Sequence, residues 1–112
     1  MVGPATKAVV LVRFPFSDLS AYKLRPAVVL ADAGRGDWVL CQITSNPYAD
    51  AVAVRLDDGD FTSGSLQRTS FARPGKLFTA NSGLIAAEVG RLKPDKYRQV
   101  VSAIVGLLQR GA

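Results

Sequence analysis

Arg13-Phe-Pro-Phe-Ser-Asp-Leu-Ser-Ala-Tyr-Lys-Leu-Arg25-Pro26-Ala-Val-Val-Leu30 is the stretch around which the rest of the chain is organised. It leaves a β-rich, mostly apolar segment, Lys7 to Phe14, whose composition reads as a well-covered strand. Pro15 has no N–H to give to a ladder and stops that strand's hydrogen bonding. Ser17 to Lys23 carry Asp18, Ser20 and Tyr22, a turn-forming composition. Arg25 precedes Pro26 and is pushed towards extended backbone, so it opens a second buried strand through Ala27 to Ala31. The short turn Asp32-Ala-Gly-Arg-Gly36 leads into a third strand, Asp37 to Thr44, which pairs antiparallel with the second. Arg25 and Thr44 therefore come to the same end of one hairpin, beside the loop 15–24.

Working outward, Val52 to Leu56 alternates well enough for a fourth strand, and 57–60 with 63–65 read as polar loop. Thr69 to Ala72 and Leu77 to Thr79 read as two short strands parted by Arg73-Pro-Gly-Lys76, and Leu84 to Leu92 as another, with Ile85, Ala87, Val89 and Arg91 on one face. The period then changes. Pro94 suits a first helical turn and Asp95 its positive end, Tyr97, Val101, Ile104 and Leu108 mark an apolar stripe with Val100 and Leu107 beside it, and Gly111 fits a stop. Six or seven short strands followed by a helix predict an α+β fold, with a strongly curved antiparallel sheet or small barrel and a C-terminal helix.

At 112 residues the chain is expected to form one domain over 1–112, and a 48% hydrophobic content supports a packed core. No apolar run approaches the roughly 20 residues that span a bilayer, and the first seven residues are too polar for a signal peptide, so the cytoplasm is expected and no membrane partner. Fourteen basic against nine acidic residues, a net +5, are compatible with nucleic acid and equally with a bland basic surface. Histidine is absent, which removes the commonest neutral-pH acid–base group. With a single cysteine, Cys41, that absence argues against zinc. Asp50, Asp57, Asp58 and Asp60 are close in sequence but lack the spacing and terminal glutamate of a calcium loop.

A guanidinium and a hydroxyl at one hairpin end suit a phosphate, the fork gripping two oxygens and the hydroxyl a third. The alternative is that Arg25 pairs with Asp18 or Glu88 and Thr44 is an ordinary strand residue. Around the loop, Ser17, Asp18, Tyr22, Lys23 and Ser45 are the candidates for base contacts, with Tyr22 and Tyr48 able to stack or merely to pack.

Leu11 to Ser20, Lys23-Leu-Arg25-Pro26-Ala-Val-Val-Leu30 and Leu40-Cys-Gln-Ile-Thr44-Ser45 together resemble the PemK/MazF toxin family, and the similarity continues through Arg73 to Thr79, Val89 to Leu92 and the closing helix. What the resemblance implies is a small SH3-like barrel, a homodimer, and a sequence-selective endoribonuclease (an mRNA interferase) that needs no metal or other cofactor. Its implied partners are single-stranded RNA and a cognate antitoxin whose tail fills the RNA groove; operator DNA is reached only as a toxin–antitoxin complex. Carried over by position, Arg25 matches the family's catalytic arginine and Thr44 its catalytic threonine. RNA would be cut by attack of its own 2′-OH, with Arg25 stabilising the developing charge and able to deliver a proton, and Thr44 positioning a phosphate oxygen. Asp18 is a candidate base by position. Some members carry an Arg-x-Asp element before the last strand; here that region reads Lys76-Leu-Phe-Thr-Ala80, so Arg73 or Lys76 either supplies the missing charge at the RNA or is solvated surface. The related gyrase poisons end in a tryptophan-bearing tail, whereas this chain ends Gln109-Arg-Gly-Ala112. A non-catalytic binding module of the same fold is the remaining alternative.

Overall fold

The computed structural model describes residues 5–15, 22–47 and 49–110. Seven strands and one helix follow in order: β1 (Ala8–Pro15), β2 (Tyr22–Gly34), β3 (Asp37–Thr44), β4 (Val54–Leu56), β5 (Phe61–Gly64), β6 (Ser70–Asn81), β7 (Ile85–Leu92) and α1 (Pro94–Arg110). All pairings are antiparallel, in the order β4-β6-β3-β2-β1-β7-β5, and the sheet curls into a half-barrel against α1. This is the α+β architecture expected from the sequence.

The central strands are buried on both faces, which is why they read as continuous apolar runs rather than alternating ones. Val9, Val28 and Cys41 face one core with Leu56, Leu92 and the helix residues Val100 and Ile104. Ala8, Val10, Val12, Ala27, Val29 and Leu40 face the other, with Phe14 and Phe78 packed edge to face at 5.0 Å. Each fully buried Val or Leu contributes about 1.5–3 kcal/mol, so this doubly covered sheet centre is the rigid part of the molecule. The helix is fastened by the Tyr97 hydroxyl, which donates to the Leu30 carbonyl at 2.9 Å. Its buried residues are Val100 and Ile104; Leu108, expected in the stripe, is 65% exposed.

Several elements depart from the expected reading, and β4 begins at Val54 rather than Val52. β2 starts at Tyr22 rather than after the loop, because Tyr22, Lys23 and Leu24 pair with Pro15, Phe14 and Arg13. Backbone pairing here overrides a turn-like composition, and β1 likewise reaches Pro15. Phe61–Gly64, of which Ser63 and Gly64 read as loop, is a short edge strand on β7. Gly64 lies at φ +66°, where an added Cβ would sit 2.1 Å from the Val89 carbonyl oxygen, so only glycine fits that approach. The two short strands around residue 75 are one strand, β6, which bulges at Arg73–Lys76: Ile43 pairs with Ala72 and Cys41 with Leu77. In β7 the register against β1 slips between Val9 and Val10, so Gly90 and Leu92 are buried and Arg91 is exposed, breaking the simple alternation.

Candidate functional site

The β2–β3 register pairs Ala27 with Gln42; extended two residues, it sets Arg25 opposite Thr44 on the same face. The turn that permits this takes positive φ at Gly34, Arg35 and Gly36, and the Gly34 amide donates to Asp32 Oδ1 at 2.7 Å. At the open end of this hairpin lies a groove of about 420 Å³. Lys23, Arg25, Thr44, Ser45, Asn46 and Arg68 all line it. Arg25 is half-buried, and its Cζ stands 5.8 Å from the centre of the Phe14 ring, a cation–π contact that holds the guanidinium in place without neutralising it. Among the described residues no carboxylate lies within ion-pair distance of Arg25; Glu88 is engaged by Arg91 at 3.1 Å. Thr44 Oγ1 donates to the Asn46 carbonyl at 3.0 Å and accepts from the Asn46 amide at 3.2 Å, which folds the chain sharply as β3 ends.

The sequence-predicted residues divide. Lys23, Arg25, Thr44 and Ser45 converge on the groove. Tyr22 is 55% exposed, does not line the groove, and lies under Arg13, whose Cζ is 5.7 Å from its ring centre. Arg73 and Lys76 line a different cavity, with Pro47, Asp50 and Leu107. There Arg73 Nε donates to Asp50 Oδ2 at 2.8 Å, both side chains being largely buried, and the Cys41 thiol donates to the Arg73 carbonyl at 3.2 Å. The Arg73 guanidinium is thus a clamp between the β6 bulge and the segment after Thr44, and it holds the Asp50 carboxyl below its ordinary range. Burial pushes the Cys41 thiol up to about 12, so it offers no thiolate nucleophile. Ser17, Asp18 and Tyr48 lie outside the described residues.

The acidic stretch is consumed internally. Asp57 accepts from Arg55 Nε at 2.9 Å and Thr69 Oγ1 at 2.7 Å, Asp58 from Ser65 Oγ at 2.6 Å, and Asp60 lies 3.6 Å from Lys96. The Thr69 hydroxyl is the main reason the Asp57 carboxyl sits below its usual range. Among the described residues no group of three or more acidic or thiol side chains is disposed to hold a metal ion, and no helix is long and apolar enough to cross a membrane. Arg68 escaped the sequence reading. It sits in a polar turn with no periodic signal, and only the tertiary path of the β5–β6 connection carries it to the groove.

A one-helix half-barrel with a cationic groove at the open end of its central hairpin defines a small toxin-fold protein. The chain belongs to the PemK-like, MazF-like toxins of type II toxin–antitoxin systems, whose family model matches residues 6–108. Among curated proteins none matches by sequence alone. Solved structures with the same fold include MazE–MazF from Deinococcus radiodurans (TM-score 0.77, 19% identity, covering 97% of this chain and 98% of that one). A mycobacterial endoribonuclease in complex with its cognate antitoxin matches at TM-score 0.69 and 14% identity, over 97% and 96% of the two chains. The Mycobacterium tuberculosis toxin MazF-mt6 matches at TM-score 0.67 and 16% identity, over 89% and 96%.

Proposed function

We propose that this toxin is an endoribonuclease that cuts single-stranded RNA without a metal ion, using Arg25 and Thr44. The observation that carries the reading is an arginine held by an aromatic ring, unneutralised among the described residues, lining the same open basic groove as a strand-end threonine. A phosphodiester laid there meets the Arg25 guanidinium, while the Thr44 hydroxyl, still accepting from the Asn46 amide, turns its one proton from the Asn46 carbonyl to a phosphate oxygen. The RNA 2′-oxygen attacks its neighbouring phosphorus, the bond to the 5′-oxygen breaks, and the products are a 2′,3′-cyclic phosphate and a 5′-hydroxyl. Charge builds on the phosphoryl oxygens as this happens, and a fixed cation that needs no reorganisation lowers the barrier most where charge grows. Holding the 2′-OH and phosphate in line supplies the remainder. The residues described as lining the groove include no carboxylate, so the proton of the 2′-OH is left to a group such as Asp18, outside the described residues.

Lys23 and Ser45 are assigned to RNA contacts beside the cut. The active species is a homodimer, and an antitoxin is its natural inhibitor; the antitoxin-bound state of the mycobacterial endoribonuclease of the same fold supports the second assignment. The test is cleavage of a mixed-sequence RNA in EDTA by wild type and by Arg25→Ala, with circular dichroism confirming both are folded. Cutting by wild type and none by the variant is expected. Salt-sensitive RNA affinity without products from wild type would instead identify a binding module, and inhibition of supercoiling without RNA cleavage would identify a gyrase poison.

A further inference from the structure

We propose that Arg68 holds a second phosphate of the bound chain, one next to the phosphate that is cut, and that residues 65–70 are a preset clasp that presents it. The inference rests on the RNA-cleaving reading of the groove and adds a contact to it. Arg68 lines the same groove as Lys23 and Arg25, so a polyanion lying in it meets a third cation beyond that pair. Its neighbours are tied down one by one. Ser65 Oγ donates to Asp58 and accepts from the Gln67 amide at 2.8 Å, Thr69 Oγ1 donates to Asp57, and Ser70 Oγ donates to the Arg68 carbonyl at 3.2 Å. Gln67, between them, adopts φ +64°, a left-handed conformation that a non-glycine residue keeps only where its surroundings impose it.

The carboxylates nearest in sequence, Asp57, Asp58 and Asp60, are occupied by Arg55, Thr69, Ser65 and Lys96, and among the described residues Arg68 has no ion-pair partner. A rigid segment whose internal polar groups are satisfied, and which leaves one exposed guanidinium over a groove, is built to meet an anion from outside. Because that anion is not the reacting phosphate, Arg68 contributes to affinity and register rather than to the chemical step.

The test is fluorescence anisotropy with a labelled, uncleavable 2′-O-methyl RNA between 50 and 200 mM salt, for wild type, Arg68→Ala, Arg68→Lys and the helix-surface control Arg98→Ala. Arg68→Ala is expected to weaken binding about threefold to tenfold at the lowest salt and to flatten the slope of log K against log salt by about 0.7, the share of one single-strand phosphate. Arg68→Lys should keep the slope, Arg98→Ala should match wild type, and the saturated cleavage rate of Arg68→Ala should stay within about twofold of wild type. Thr69→Val, which frees the clasp but keeps the cation, should weaken binding by less than Arg68→Ala, with the slope retained. An Arg68→Ala slope equal to that of wild type or of Arg98→Ala overturns the proposal while leaving the cleavage reading intact. A large loss of saturated rate overturns it too, placing Arg68 on the reacting phosphate. Wild type that neither binds nor cuts RNA overturns both.

Discussion

Arg25 and Arg73 are the same residue type, each before a proline in a β-strand, and the fold uses them in opposite ways. Arg73 is folded into the protein, its guanidinium on Asp50 and its carbonyl on the Cys41 thiol, in a cavity where charge is cancelled as it is introduced. Arg25 rests on the Phe14 ring, which steadies the cation without neutralising it, and no described carboxylate reaches it. An arginine spent on structure has its electrostatics satisfied at home; one kept for a ligand is held by contacts that leave its charge in place.

The contrast breaks most visibly on truncation. Arg25→Ala should lower the single-turnover cleavage rate by about 10²–10³, the usual loss for removing one fixed transition-state charge, with the melting temperature within a degree or two of wild type. Arg73→Ala should do the reverse. It strands a largely buried Asp50 carboxylate and should cost about 2 kcal/mol of stability in urea unfolding, with the cleavage rate of the folded protein changed by less than about threefold. A collapse of activity at full stability in Arg73→Ala would move that residue into the site and undo the comparison.

Thr44→Val is intermediate. It keeps the strand shape but removes the hydroxyl that bonds Asn46, and about a tenfold loss in cleavage rate is expected with a small stability change. The smallest effect is on pH. Asp50 has its carboxyl lowered on folding, so it binds its proton less readily folded than unfolded. Its stabilising contribution is complete above the unfolded value of about 3.9 and is lost as pH falls through the folded one. Melting curves of wild type and Asp50→Asn should therefore converge as pH drops below about 4, and an undiminished gap at low pH would deny the pairing with Arg73.

The central hairpin was legible because its signals are local: a proline after Arg25, a glycine-rich turn and an apolar strand ending at Thr44 place the two residues together by counting. The burial of the mid-strands followed from their unbroken apolar runs. What was not legible depends on partners distant in sequence. Tyr22 to Leu24 look like loop until β1 is laid beside them. Phe61–Gly64 is polar apart from Phe61 and becomes a strand only because β7 offers an edge. Arg73 and Arg68 illustrate the same limit from both sides. Nothing in Ala-Arg-Pro or Gln-Arg-Thr announces that Asp50 waits for the first, or that the second turns out over the groove.

The most direct measurement is end-mapping of single-turnover digests in EDTA, using an RNA and the same RNA carrying one 2′-deoxy residue at the mapped cut. The all-ribose strand should be cut, leaving a 2′,3′-cyclic phosphate, and the substituted strand should stay whole at that position. Cutting of the deoxy-substituted strand at the same place, or a 3′-hydroxyl end on the all-ribose product, would contradict it.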